Sequence, residues 1–338
     1  MKKLISLSLV LMLLLGILAV PAMAEDNKVG TLSYLNMTED EDLLVAPLRQ
    51  PLRKFLSLHG VLKIEERSVS GKIPTFVQYD SLNALLMALD SGQVKFIVVP
   101  YYTSQYLCST NDKMMMAMEF HPEKAESGVA KWALGLISDG YSFMLKEENT
   151  ALRDEFDAQI TAMRKDGTLQ KLVDEHIIKV SEGGEPVAVA FEKFEGDPIK
   201  VGVSGDLPPM DYIAPDGTFA GFNTAVLAEI GKRLQKNIEL VQVDSIGRAL
   251  ALSEGKVDVV FWTRAMSENQ VERHAAGEKL ADILANDQTL TDEEKALIEG
   301  LAPPEHEKVL LLEARDMPAG TIITQPYFTD YPVQVTLK

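Results

Sequence analysis

The chain has 338 residues, 46% of them hydrophobic and 25% charged, with 50 acidic side chains against 33 basic ones and a formal charge of −17. That apolar content excludes a disordered chain, and the length suits two domains or one domain of two lobes. The acidic balance excludes a nucleic-acid partner, because phosphates demand a basic surface.

Residues 1–24 stand apart from the rest. Lys2 and Lys3 precede an apolar run, and Ala22-Met23-Ala24 closes it. This three-part order is that of a secretory signal peptide, with cleavage expected after Ala24. No cysteine follows the run for lipid attachment, and no second long apolar stretch occurs. A soluble, exported, periplasmic or otherwise extracytoplasmic protein is therefore expected.

Beyond it, strands alternate with helices. VGTLSYL (29–35) reads as a strand. Thr38 with Glu39-Asp40-Glu41 then reads as a capping box, opening a helix to about residue 58 that Pro47 and Pro51 interrupt. TFVQY is a strand, and Asp80-Ser81 caps SLNALLMALDSG, an apolar-faced helix ending at Gly92. KFIVVPY is a continuous apolar run of the kind that fills a central parallel strand. KMMMAM (113–118) suits core packing or an adaptable apolar surface. YSFML (141–145) is a further strand, and two helices follow, separated at Gly167.

The stretch 181–198, SEGGEPVAVAFEKFEGDP, holds three Gly, two Pro and many charges, and reads as a linker. The rhythm then resumes: KVGVS as strand, TAVLAEIGKRLQK as helix, IELVQV as strand, 245–253 as helix and VDVVFW as strand. Residues 266–316 are charged and helical in pattern, and GTIITQPYFTDYPVQVTLK closes in extended segments. Such alternation implies an α/β fold with largely parallel sheets, whose ligands sit beyond the carboxyl ends of the strands.

The only cysteine, Cys108, cannot form an internal disulfide and reads as an inert thiol. The five histidines are scattered without metal-binding spacing, so neither a metal nor a cofactor is expected.

KVGVSGDLPPMDYIAPDGTFAGFNTAVLAEIGKRL, followed by ALSEGKVDVVFWT, resembles the first lobe of the extracellular solute-binding proteins of family 3. These are type II periplasmic binding proteins that serve amino-acid ABC transporters. The family's Pro-Phe, Asp-Gly, Gly-Phe-Asp and Ser-Gly-Lys-Val-Asp stand here as Pro209-Met210, Asp216-Gly217, Gly221-Phe222-Asn223 and Glu254-Gly255-Lys256-Val257-Asp258. TQPYFTDYPVQVTLK resembles the family's strand that leaves lobe one through the hinge. VGTLSYLNMTEDE and YDSLNALLMALDSGQVKFIVVPYYTSQYL are similar to its second lobe, and FMLKEENTALRDEFDAQITAMRKDGTLQKLVDEHI to its closing helices.

The order resembles a circular permutation of the family. A lobe-two-like segment (25–145) comes first, then closing helices (146–180), the linker (181–198) and a lobe-one-like segment (199–338) with a helical insertion at about 266–316. Two truncated tandem modules are the alternative.

The resemblance implies a two-lobed, periplasmic-binding-protein-like α/β fold of type II, each lobe a mostly parallel sheet flanked by helices, joined by a hinge. It implies a monomer that is no enzyme, closes on a small solute (an amino acid or related small carboxylate) and delivers it to a membrane ABC permease. Carried onto this sequence, the binding positions fall on Ser204 and Met210, on Trp262, Thr263 and Arg264 after VDVVF, on Asn36 and Thr38, and on Tyr101.

Thr263 fits a hydroxyl role and Arg264 a carboxylate clamp, since Gln270 occupies the position where the family's Arg is expected. Pro100 occupies the position of the family's ammonium-binding carboxylate. Trp262, Tyr101 and Tyr102 offer stacking faces. Asp206 and Asp211 read as turn residues. Two other readings stay open on the same fold: an enzyme akin to cyclohexadienyl dehydratases, and a sensor or scaffold with a degenerate pocket.

Overall fold

The computed structural model describes residues 28–32, 62–64, 75–120, 124, 139–214, 216–244, 247–263 and 318–338. The signal peptide, the 38–58 helix and the 266–316 insertion lie outside these residues.

In the first half, β1 (Lys28–Leu32) is followed by β2 (Leu62–Ile64), β3 (Thr75–Tyr79) and α1 (Leu82–Asp90). The Ser81 hydroxyl caps α1 by accepting the Ala84 N–H at 3.2 Å, and Gly92 ends the turn beyond it at φ 72°, a conformation only glycine adopts cheaply. Leu82, Leu85, Ala88 and Leu89 form the buried stripe of α1. They lie close to β1: a Cβ on Gly30 would come within 2.6 Å of Leu85 Cδ1. Then come β4 (Phe96–Pro100), buried along its whole length, α2 (Tyr101–Thr110), β5 (Met114–Met116) and β6 (Met118–Phe120). Met114 is buried and Met116 packs on the core, and burial raises the pKa of the Cys108 thiol.

The next strand, β7 (Asp139–Lys146), leads to α3 (Thr150–Asp166) and α4 (Thr168–Val173), separated at Gly167 with φ 81°. Arg233 ties this junction down by pairing with Asp166 at 2.8 Å. After the linker come β8 (Ile199–Val203), β9 (Asp206–Leu207), β10 (Asp211–Ile213), β11 (Phe219–Ala220) and α5 (Phe222–Leu234). The chain continues through β12 (Ile238–Gln242), α6 (Arg248–Ser253) and β13 (Val259–Thr263). The last three strands are β14 (Thr321–Ile323), β15 (Phe328–Asp330) and β16 (Pro332–Leu337).

Two sheets emerge with the same plan. One has the order β3-β1-β4-β16-β5, and the other β12-β8-β13-β7-β14, with β15 also on β7. In each, the first three strands are parallel. The fourth runs antiparallel to both its neighbours. That antiparallel strand always comes from the other half of the chain. KFIVVPY is central as expected, but only one of its neighbours is parallel. YSFML belongs to the second sheet, although in sequence it closes the 25–145 segment.

The second sheet's core is built on this borrowed strand. Phe143 is wholly buried in β7, with its ring 5.3 Å from Phe156, 5.4 Å from Phe261 and stacked at 4.7 Å on Tyr327. On the opposite face, Met144, Val260 and Trp262 meet Ala251 and Leu252 of α6. Phe143→Ala is expected to cost about 3–5 kcal/mol, since α3, β13 and the segment before β15 all pack rings against it. Denaturant unfolding measures it, and a cost below about 1 kcal/mol would mean that β7 is dispensable.

Candidate functional site

The parallel strands β8, β12 and β13 all end on one side of the second sheet, and antiparallel β7 begins there, with Tyr141 opposite Thr263. Over these ends lies a cleft of about 430 Å³, counting the part open to solvent. Its floor is formed by Gly202 and Ser204 from the end of β8, Phe261 of β13 and Tyr141 of β7. Leu207, Asp211 and Asn223 form one wall, and Val243, Asp244 and Arg248 the other.

Asp211 organises the first wall. It is buried, and its Oδ2 accepts the Ser204 N–H at 3.1 Å, the Gly205 N–H at 3.0 Å and the Ser204 hydroxyl at 3.0 Å. Its Oδ1 is approached by Asn223 Nδ2 at 3.5 Å. Asn223 in turn accepts the Tyr327 O–H at 2.8 Å. Burial raises the Asp211 pKa above the usual carboxylate value, while the donors from Gly205 and Ser204 pull it down. Burial likewise pushes the Tyr327 hydroxyl well above its ordinary value. The loop that presents these groups needs its glycines: Gly221 has φ 105°, and a Cβ there would meet Met210 O at 2.5 Å.

Arg248 dominates the second wall. Its guanidinium lies 4.5 Å over the Trp262 ring, a cation–π contact that flattens the side chain against the sheet. Asp244 accepts the Gly247 N–H and so shapes the turn into α6 that delivers Arg248.

The two sheets meet across this region. Asp206, just past β8, accepts the Leu82 N–H at 2.9 Å, at the first turn of α1 in the other half. A carboxylate is favoured there by the unpaired amides and the helix dipole. Nearby, burial pushes the Tyr212 hydroxyl up to about 12, with Tyr106 of α2 adding to the shift.

Of the residues singled out in sequence, Ser204 lines the cleft, with its hydroxyl turned to Asp211. Met210 lies wholly buried beneath the loop, and its carbonyl accepts the Asn223 N–H at 2.8 Å. Trp262 is buried under Arg248, and Thr263 ends β13. Tyr101 starts α2 beside the first sheet, where its hydroxyl accepts from Gln105 at 2.8 Å, away from the cleft lining. Arg264, Asn36 and Thr38 lie outside the described residues.

Sequence reasoning missed Arg248, Asp244, Asn223 and Tyr141. Their signal was positional, since Asp244, Asn223 and Arg248 sit within a few residues of a strand end or helix start. Asp206 and Asp211, read as turn residues, are respectively an inter-sheet bridge and the buried centre of a network.

Residues 199–277 match the family model of bacterial extracellular solute-binding proteins, family 3. The matched stretch holds every described lining residue of the cleft except Tyr141. No curated protein matches the chain. Among solved structures, the chain is similar to a ligand-binding component of an ABC-type import system from Staphylococcus aureus with zinc bound. The identity is 11%, over 91% of this chain and 65% of that one, with a TM-score of 0.34. An ancestral arginine-binding protein bound to glutamine gives 11% over 92% and 83%, with a TM-score of 0.33. A phosphate-binding protein of a Streptococcus pneumoniae phosphate ABC transporter gives 10% over 92% and 88%, with a TM-score of 0.31. At such scores none of them bears on the ligand of this chain.

Removing the inter-sheet carboxylate has a local readout. In Asp206→Ala, the Leu82 amide is expected to exchange about tenfold faster or more, the loss of one charge-assisted hydrogen bond. Site-resolved hydrogen exchange checks it; unchanged Leu82 protection would mean that Asp206 does not hold α1.

Proposed function

We propose that this chain is an exported solute-binding protein that captures a small molecule, an amino acid or related small carboxylate, between two lobes and delivers it to an ABC permease. The observation that carries the reading is the cleft at the carboxyl ends of β8, β12 and β13, within the family-matched stretch and walled by a guanidinium. Ligands of α/β folds collect at such strand ends. Arg248 supplies the cation for a ligand carboxylate, with Arg264 next in sequence after β13 as the second candidate. The reading includes export, with the signal peptide removed after Ala24, and action as a monomer. Asp211 Oδ2, which accepts three donors from Ser204 and Gly205, suits an ordering role for the cleft wall.

The permuted order is part of this proposal. Thr336 Oγ1 donates to the Lys95 carbonyl at 2.8 Å, and Val29 pairs with Phe96, so β16 finishes level with the start of β1. Only β4 lies between them, a separation of about 10 Å. A rearranged chain that joins Lys338 to Glu25 and opens within 181–198 is expected to fold and to melt within a few degrees of the original. A rearranged chain that fails to fold would argue for two tandem modules instead.

A thermal-shift screen of residues 25–338 against amino acids, small carboxylates and amines tests the binding role. A solute at a hundred times its dissociation constant stabilises the fold by about 2.7 kcal/mol. Arg248→Ala is expected to weaken a carboxylate-bearing solute by about 1.5–3 kcal/mol, roughly 10- to 100-fold. If no solute raises the midpoint of the folded protein, the solute-binding reading fails.

A further inference from the structure

We infer that Asp206 is a releasable latch between the two lobes, a closing contact made wholly within the chain, and that the start of α2 together with the crossing at Tyr331 is the pivot about which it opens. The inference rests on the two-lobed solute-binding reading for its use, but not for its contacts.

The pivot is held several times over. β15 ends at Asp330 in the second sheet and β16 begins at Pro332 in the first, so a single residue, Tyr331, spans the crossing. The Tyr331 carbonyl accepts the Tyr101 N–H at 2.8 Å. The buried Asp330 carboxylate accepts the Tyr331 N–H at 2.7 Å and is approached by the Tyr102 N–H at 3.4 Å. The Tyr102 ring lies 5.8 Å from Phe328 of β15, and residues 179–181, after the closing helices, pack on α2 from the other side of the chain. A one-residue crossing reaches only about 4 Å, so it permits rotation and little separation.

α1 is joined to the second half by less. α1 follows β3 and α2 follows β4, and those strand ends lie two spacings, about 10 Å, apart across the first sheet. There β9 meets α1, and the Leu82 N–H donates to Asp206 Oδ2 at 2.9 Å. The Ser81 hydroxyl is spent on the Ala84 N–H, so the Leu82 amide takes its partner from the other lobe. Tyr212 of β10 lies near Tyr106 of α2, and Asp206 supplies the carboxylate of this rim. A heavy-atom distance longer by about 1 Å is no longer a hydrogen bond, so a small swing releases α1 while α2 keeps its contacts.

The latch shares its loop with the cleft wall. Asp206 stands next to Gly205, whose N–H is directed at Asp211 at 3.0 Å. A shift of that wall therefore biases the latch, and the state of the latch biases the wall to the same extent.

The test measures lobe separation with no solute added. Nitroxide labels at Met87→Cys on α1 and Leu250→Cys on α6, positions 71% and 58% exposed, in a Cys108→Ser background of residues 25–338, report it by pulsed electron resonance. Asp206→Ala is expected to raise the ratio of long to short separations tenfold or more, roughly the weight of one hydrogen bond to a charged group. Asp206→Asn keeps an acceptor and loses the charge, so it is expected to fall between, and it serves as the test if the alanine variant does not fold. The same distance distribution in parent and variant, whether short or long, would overturn the latch and leave the solute-binding reading standing. An opened Asp206→Ala beside a silent solute screen would keep the latch and remove that reading.

Discussion

Neither of the two large sheets of this protein is complete without a strand from the opposite half of the sequence. Without β7, β13 loses its second neighbour, and β14 and β15 lose the strand on which they pair. Without β16, β5 is severed from β4. Buried backbone amides and carbonyls must be paired, so each exchanged strand is held by hydrogen bonding on both edges as well as by its apolar side chains. This reciprocal insertion makes the two halves interdependent.

The cleft is a by-product of that arrangement. Because β7 enters antiparallel, its beginning lies beside the ends of the parallel strands, which brings Tyr141 to the site from more than fifty residues before β8 in sequence. The polar network follows the same geography. Tyr327, close to the crossing strands, stacks on Phe143 of β7 and donates to Asn223 at the start of α5, which leans on Asp211. A path of packed and hydrogen-bonded side chains thus runs from the crossing segment to the cleft wall. Such a network is favourable only while its members remain satisfied, because an unpaired polar group there is costly to bury.

Asp206 links this centre to the first sheet. Its carboxylate occupies the amide end of α1, so the loop that carries Asp211 is held on one side by its own half and on the other by the partner half. Opening of the two sheets would expose that helix end and free the loop together. Asp206 contributes one charge-assisted hydrogen bond to this junction, beside the packing of Tyr102 of α2 on Phe328 of β15.

Much of the fold was legible in the residues themselves. Local rules were enough to place the Ser81 cap, the glycine stops at Gly92 and Gly167, the apolar run of β4 and the family pattern around Asp216-Gly217 and Gly221-Phe222-Asn223, because caps, turns and periodicity depend only on near neighbours. The same rules were silent on which sheet β7 joins, since an apolar strand reads alike in either. They also took Asp206 and Asp211 for turn residues, because a turn aspartate and a buried aspartate look identical in sequence. Only the tertiary structure decided that Arg248 lies on Trp262 beside the cleft and that Asp211 gathers the amides of Ser204 and Gly205. Those outcomes depend on groups brought together across the chain, where burial and charge complementarity, and no local propensity, determine what each side chain meets.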